Sequence, residues 1–312
     1  MTDTLQSGVQ GLPGSYTHTM HKELFNGQEP RSFDTFAASF AALEADEIGR
    51  LTVAYANNAV GFIPEPYAKL TSHQAARELF IDTEGVASVR HCLMVPRGIT
   101  FEDITQVHSQ TPAIDQSSNF LNPMRSRGIQ IIEQDDTAKS ALYVSEHSDQ
   151  PIAAIASQQA AELYGLCILH EGIQNDPDNL TRFVSVTKRA DAVLDPQANI
   201  TNALMTIGQH SGSLHGALGA FASMGIDLRF INSRLVPNSP FKIDMVVEFK
   251  MGLLDPKMPD LVGRLAHNKA KLDILGSFVS ASNGFNHSGK TFSVDANDET
   301  TKYTELLTQL GK

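Results

Sequence analysis

Ile152-Ala153-Ala154-Ile155-Ala156-Ser157-Gln158-Gln159-Ala160-Ala161-Glu162-Leu163-Tyr164-Gly165-Leu166-Cys167-Ile168-Leu169 carries a strand, a helix and a second strand within eighteen residues. The unbroken apolar run 152–156 predicts the first strand, 158–164 the helix and 166–169 the returning strand. The same alternation extends outward in both directions, from Gln10 to about Arg189. Residues 32–44 place Phe33, Phe36, Ala37, Phe40 and Ala41 three and four apart, which predicts a helix, and 51–55 predicts a strand. Residues 104–108 predict a strand, and Thr111-Pro112 reads as a helix cap followed by proline at the first helical position. That helix is expected to run to Leu121 and stop at Asn122-Pro123; 128–133 then reads as strand and 136–143 as helix. Strands alternating with helices imply βα units and a largely parallel sheet.

Beyond Arg189 the pattern changes, and Asp195-Pro196-Gln197 marks a linker. Residues 200–207 read as strand, 213–224 as a helix ended by Gly225, and 226–233 as strand. A turn at Pro237-Asn238-Ser239-Pro240 leads into a strand at 241–249, a helix at 259–272 and a strand at 275–281. The order is βαββαβ, the split-βαβ, ferredoxin-like arrangement of an α+β domain. The polar tail from Asn283 ends in a short amphipathic helix carrying Leu306, Leu307 and Leu310. The expected organisation is an α/β domain over 1–194, a second domain over 195–290 and a tail over 291–312.

Composition narrows the function. At 312 residues the chain has room for about two domains, and 41% apolar against 19% charged residues describes a globular protein. With 24 Lys and Arg against 35 Asp and Glu, the net charge of −11 gives no field that would gather nucleic acid. No apolar run approaches the roughly 18 residues of a membrane span. Met1-Thr2-Asp3-Thr4 lacks a basic segment and apolar stretch of a secretory signal, so a cytoplasmic location is expected. Cys92 and Cys167 sit in apolar runs and are expected to be buried free thiols.

Chemistry is expected where helix N-termini meet strand ends. Gly11-Leu12-Pro13-Gly14-Ser15-Tyr16-Thr17 leads into a helix closing at Asn26-Gly27, and Ser109 to Thr111 and Asp136-Thr137 offer two further N-termini. Free N–H groups and helix dipoles converging on one crevice suit a small polycarboxylate, although such a turn also serves simply as a cap. In Asn179-Leu180-Thr181-Arg182-Phe183, a guanidinium able to grip a carboxylate stands beside a hydroxyl able to serve a leaving group; a strand entry with a surface arginine has the same sequence. His18 and His21, three apart on a helix, lack the third ligand that a zinc site needs. Gly-x-Gly-x-x-Gly after a strand, the P-loop pattern and Gly-x-Ser-x-Gly are all missing. No metal or organic cofactor is expected.

Together these segments resemble the prephenate dehydratases with a C-terminal ACT regulatory domain, over about Gly11 to Gly284. Gly14-Ser15-Tyr16-Thr17 is similar to the family's glycine turn. Asp136-Thr137-Ala138, Ala153-Ala154-Ile155-Ala156-Ser157, Ala160-Ala161-Glu162-Leu163-Tyr164-Gly165-Leu166 and Asn179-Leu180-Thr181-Arg182-Phe183 form the longest match. Gly212-Ser213-Leu214-His215 and Ile231-Asn232-Ser233-Arg234 are similar to the ACT segments that hold phenylalanine. Three motifs depart from the pattern. Ala56-Asn57-Asn58 replaces Glu-Asn-Ser, Ser109-Gln110-Thr111-Pro112 replaces Ser-His-Pro-Gln, and Asn232-Ser233-Arg234-Leu235 replaces Glu-Ser-Arg-Pro.

The resemblance implies a two-lobed catalytic domain like type 2 periplasmic binding proteins, with ACT domains pairing in a homodimer or homotetramer. It implies conversion of prephenate to phenylpyruvate, CO2 and water, with phenylalanine as effector. Thr181 would be catalytic; Ser15, Tyr16, Thr17, Asn57, Asn58, Ser109, Arg182 and Phe183 would bind substrate. Gly212, Ser213, Leu214, His215, Asn232, Ser233 and Arg234 would bind the effector. A non-aromatising prephenate decarboxylase on the same scaffold and a non-catalytic ligand sensor are the competing readings.

Overall fold

In the computed structural model, residues 5–236, 239 and 242–281 are described. In chain order they form β1 (Ser7–Gln10), α1 (Tyr16–Leu24), β2 (Arg31–Phe33), α2 (Phe36–Glu44), β3 (Arg50–Asn57), β4 (Gly61–Phe62), α3 (Pro64–Leu70), α4 (His73–Glu78), β5 (Leu79–Ser88) and β6 (Cys92–Val95). There follow β7 (Gln106–Gln110), α5 (Thr111–Gln116), α6 (Ser118–Ser126), β8 (Gln130–Gln134), α7 (Thr137–Glu146), β9 (Ile152–Ala156), α8 (Gln158–Tyr164), β10 (Cys167–Glu171) and β11 (Leu180–Lys188). The chain continues through β12 (Ile200–Thr206), α9 (Ser213–Ser223), β13 (Leu228–Leu235), β14 (Ile243–Phe249), α10 (Met258–His267) and β15 (Lys271–Phe278). Side chains fix many of the helix starts. Ser15, Thr35, Ser72, Asp136 and Ser157 each accept a hydrogen bond from the backbone N–H three residues on, each worth about 1 kcal/mol.

The fold is mixed α/β and divides into two compact units. The first comprises residues 1–63 and 85–183, the second 64–84 and 184–312, so the boundaries fall between β4 and α3, within β5 and within β11. In the first unit β1 pairs in parallel with β2 and β3. A separate sheet runs β10-β6-β9-β7-β8, parallel at β7–β8 and β7–β9 but antiparallel at β6–β9 and β6–β10. The sheet is therefore mixed rather than largely parallel. Its centre explains the unbroken apolar run of β9. Ala153 and Ile155 pack with Leu93, Val107, Ile114 and Leu121 on one face, while Ile152, Ala154 and Ala156 pack with Ala141, Val144 and Ala160 on the other. Helices cover both faces, so no position of the strand can be polar.

In the second unit β12, α9, β13, β14, α10 and β15 give a sheet in the order β13-β14-β12-β15, antiparallel throughout, with β5 beside β15. Helices α9 and α10 cover one face through Ala217, Phe221, Leu261 and Leu265. The other face meets the segment 64–84, where Ala76 and Tyr67 pack with Leu204, Val246, Leu275 and Phe230.

Several expectations shift. The periodic stretch 32–44 splits into β2 and α2, because Ser32 and Phe33 pair with β1 and Thr35 caps the helix. The helix expected to stop at Asn122-Pro123 instead breaks at Ser117, and α6 carries Pro123 inside it. Thr111 is the first helical residue rather than the cap, which falls on Gln110. The helix expected over 259–272 ends at His267, since Lys269 turns to a φ of +55°, and β15 begins at Lys271. Cys92 is buried, but Cys167 at the start of β10, the end strand of its sheet, is exposed. The tail helix and most of the turn before β14 lie outside the described residues, as does Phe241. No helix among the described residues is long and apolar enough to cross a membrane.

Candidate active site

The glycine turn before α1 is fastened to α8. Gly14 takes a φ of +85°, and a β-carbon there would lie 3.0 Å from Ala160 Cα on α8, so both backbone shape and space require glycine. Ser157 Oγ donates to Gly14 O at 2.7 Å, and Tyr164 Oη donates to Pro13 O at 2.8 Å. The start of α1 is thereby rigid. Ser15 Oγ accepts from His18 N–H, and Thr17, the second helical residue, is buried.

Thr181 sits on β11, 8% exposed, and Asn57 ends β3. Backbone N–H groups can only donate, and they orient the Asn57 amide. Ala59 N–H and Val60 N–H reach Asn57 Oδ1 at 2.9 and 3.2 Å, so the other arm is Nδ2. Its two hydrogens go to Thr181 Oγ1 at 2.9 Å and Asn179 Oδ1 at 2.6 Å. Asn179 in turn donates from Nδ2 to Gln116 Oε1 at 2.9 Å. Thr181 is thus an acceptor toward Asn57, and among the described residues no hydrogen bond engages its O–H. A threonine held by its lone pair presents its proton to whatever fills the space beside it.

The remaining candidates separate by what their side chains already do. Asn58 staples β3 to β11: its N–H donates to Leu180 O at 3.0 Å, its Oδ1 accepts from Leu180 N–H at 2.8 Å, and its Nδ2 donates to Asp178 O at 2.8 Å. Ser109 is fully buried and donates to Ile155 O at 2.8 Å, joining β7 to β9. Phe183 is a core residue. Strand alternation turns Arg182 to the face opposite Thr181, and its guanidinium carbon lies 5.4 Å from the centroid of the buried Tyr55 ring. Tyr16 directs its hydroxyl to Arg90 O at 2.7 Å, and burial pushes its phenol pKa up.

The two histidines of α1 diverge. His18 Nε2 meets Glu29 Oε1 at 2.7 Å, whereas His21 is fully buried with Nδ1 2.9 Å from Thr52 Oγ1. In the second unit Gly212 adopts a φ of +83° before α9, and Ser213 Oγ donates to His210 O at 2.6 Å. Leu214 packs on the core and His215 is exposed. Asn232 Nδ2 donates to Tyr67 Oη at 2.9 Å, and Arg234 donates to Thr71 O and, at 3.3 Å, to Thr71 Oγ1. Both are engaged by the segment 64–84. Ser233, between them, is exposed. Gln116 was not foreseen. Only the spacing of Asn179 and Thr181, two apart and so on one side of an extended chain, hinted at the network.

Residues 7–191 match the family model described as prephenate dehydratase. Arogenate dehydratase/prephenate dehydratase 1, chloroplastic, of Arabidopsis thaliana is 31% identical over 283 residues, covering 86% of this chain and 70% of that protein. Among solved structures, the quorum-quenching acylase GqqA aligns with a TM-score of 0.77 at 26% identity, covering 88% of this chain and 98% of that one. The prephenate dehydratase of Arthrobacter aurescens in complex with L-Phe aligns with a TM-score of 0.76 at 20% identity, covering 98% of both chains, a likeness of fold. The chain belongs to the prephenate dehydratase family.

Proposed function

We propose that this hydro-lyase converts prephenate to phenylpyruvate with Thr181 as the hydrogen-bond donor to the departing ring hydroxyl. The observation that carries the assignment is the polarity of the Asn57 contact, which leaves the Thr181 O–H uncommitted among the described residues. The carbon–carbon bond to the ring carboxylate breaks and releases CO2; its electron pair enters the ring. The ring carbon–oxygen bond then breaks, and the hydroxyl leaves as water with a proton passed along its hydrogen bond from Thr181, which solvent replaces once product has left. Aromatisation drives the reaction, so the protein's part is to hold two carboxylates and stabilise the charge growing on that oxygen. A neutral threonine is a weak acid in water, and its near-complete burial supplies the dry, fixed setting in which one hydrogen bond counts.

The N–H groups at the start of α1 around Ser15, Tyr16 and Thr17 are proposed to hold one carboxylate; Arg182, turned to the face opposite Thr181 and lying over the Tyr55 ring, is not placed to grip the other. Asn58, Ser109 and Phe183 serve the same site by building its walls. The named relatives favour a second substrate, arogenate, the amino counterpart of prephenate. Purified protein incubated with each compound distinguishes them. The reading expects phenylpyruvate from prephenate, and would fail if prephenate were consumed without it, the decarboxylase outcome, or not consumed at all, the sensor outcome.

The second unit is proposed to be an ACT regulatory domain of ferredoxin-like topology, a reading supported by its βαββαβ order and its β13-β14-β12-β15 pairing. Phenylalanine is the proposed effector, seated near Gly212, Ser213, Leu214 and Ser233, with Asn232 and Arg234 acting from behind through Tyr67 and Thr71. Strand β13 ends its sheet, with Ile231 and Leu235 exposed at 40% and 68%. Such an edge suits pairing with a second copy, in keeping with a homodimer or homotetramer. The catalytic unit is proposed to carry the two lobes of a type 2 periplasmic-binding-protein fold.

A further inference from the structure

We infer that His91 is a positioning residue for the reaction: through Gln116 it holds the Asn179 amide so that Asn179 Oδ1 takes one Asn57 hydrogen, which keeps the backbone-anchored Asn57 amide aligned on Thr181. The inference rests on Thr181 being the donor proposed above.

Gln116 Oε1 accepts from Asn179 Nδ2 at 2.9 Å and lies 3.0 Å from His91 Nε2. A carbonyl oxygen cannot donate, so His91 Nε2 carries the hydrogen and Nδ1 the lone pair. Nδ1 lies 3.3 Å from Tyr16 Oη, whose one hydrogen is already donated to Arg90 O at 2.7 Å, so this contact plays no part in setting the tautomer; the two rings meet edge-on at 5.9 Å. The His91 backbone N–H is itself held, donating to Gln174 Oε1 at 3.0 Å. At 2% exposure the ring has no alternative partner in solvent, and burial lowers its pKa, which keeps it neutral. A single tautomer at 91 therefore closes a chain that begins at Thr181 and has its polarity set at every link.

The need for that closure follows from the amides. Without the His91 N–H, the Gln116 amide is free to turn and present its NH2 to Asn179, setting donor against donor. Asn179 would then have to turn as well, presenting NH2 to Asn57. Asn57 cannot follow without losing both backbone bonds to its Oδ1, so the hydrogen aimed at Asn179 loses its acceptor and the one aimed at Thr181 loses its alignment. Gln116 and His91 lie 25 residues apart and far from Thr181 in sequence, and neither is placed against substrate here. Their effect is on orientation, and it belongs to kcat rather than to binding.

The test compares wild type, His91→Leu, His91→Gln, Thr181→Ala and the His91→Leu/Thr181→Ala double variant with prephenate, each checked by thermal melting. His91→Leu is expected to lower kcat by about 10- to 100-fold, the scale of a misoriented catalytic group, with KM within about twofold. His91→Gln, which places an amide N–H where Nε2–H was, is expected to regain most of the loss. In the Thr181→Ala background, removing His91 should change kcat by less than about twofold, because the group it positions is gone. Should His91→Leu fail to fold, His91→Asn, whose amide reaches only the Nδ1 position, replaces it. Wild-type kcat in the His91 variant, equal loss for Leu and Gln, or an undiminished effect in the Thr181→Ala background would each overturn the inference alone. Thr181→Ala turning over as fast as wild type would overturn the Thr181 assignment and this inference with it.

Discussion

Thr181 shows how little a residue's identity says about its role until the polarity of its neighbours is known. A buried threonine that donates to the backbone is structural; one that accepts from a fixed amide has a proton to offer. Arg182 stands at the opposite pole, because a carboxylate clamp and a guanidinium stacked on Tyr55 make different predictions. Arg182→Lys should lower the melting temperature with KM unchanged, as the Tyr55 stack requires; a KM raised several-fold with little loss of stability would mean that the guanidinium grips substrate, since the forked geometry is lost. His21 gives a pH prediction. Burial, aided by the Arg50 charge, pushes its pKa down to about 4, below the 6.5 of an unfolded histidine. Between those values the unfolded chain binds the extra proton, so stability present above pH 6.5 is lost as pH falls toward 4, with a slope of at most about 1.4 kcal/mol for each pH unit. Urea midpoints at pH 7 and pH 5 should differ more for wild type than for His21→Asn; an equal drop in both would remove the histidine as the cause.

At the scale of elements, strands and helices with local signals were legible, and those set by distant partners were not. β9 and α8 match their predicted bounds because a run apolar on both faces and a serine-capped helix are local facts. β2 was hidden inside a helical periodicity, since its status depends on β1, more than twenty residues earlier. The segment 64–84 carried no readable signal of its destination. Its place is set by side chains that meet it from β13, β14 and β15: Asn232 on Tyr67, Arg234 on Thr71, and Asp244 and Asp273 on the two ring nitrogens of His73 at 2.8 and 3.1 Å. Arg229 completes the set, 2.9 Å from Glu84 and 3.3 Å from Glu248, both of whose side chains are fully buried. Removing the arginine withdraws one positive charge from beside two buried carboxylates. Arg229→Ala is therefore expected to cost about 3–5 kcal/mol in denaturant unfolding; a loss under about 1 kcal/mol would mean the carboxylates are satisfied in another way.

At the scale of the whole molecule, the candidate site was legible as a set of motif residues, and the bonds among them were not. The glycine turn, Thr181 and Asn57 stood out as motif residues, but Ser109 and Asn58 proved to be spent on backbone groups, and Gln116 and His91 come together with Thr181 only in three dimensions. The segment 64–84, which β13 contacts, belongs to the second unit although it lies in the chain between two stretches of the first. On the proposed regulation, phenylalanine must favour one conformation over another by binding it more tightly. Calorimetry at millimolar phenylalanine should therefore show binding that Ser213→Leu weakens, and the absence of heat would rule out phenylalanine as the effector. Everything proposed for the chemistry turns on the donor role of Thr181, which is read out by phenylpyruvate formation from prephenate by wild type and Thr181→Ala at neutral pH. Rapid product is expected from wild type and a loss of about 10²- to 10³-fold in kcat from the variant, with substrate binding retained. Equal rates from the two proteins would refute the donor role.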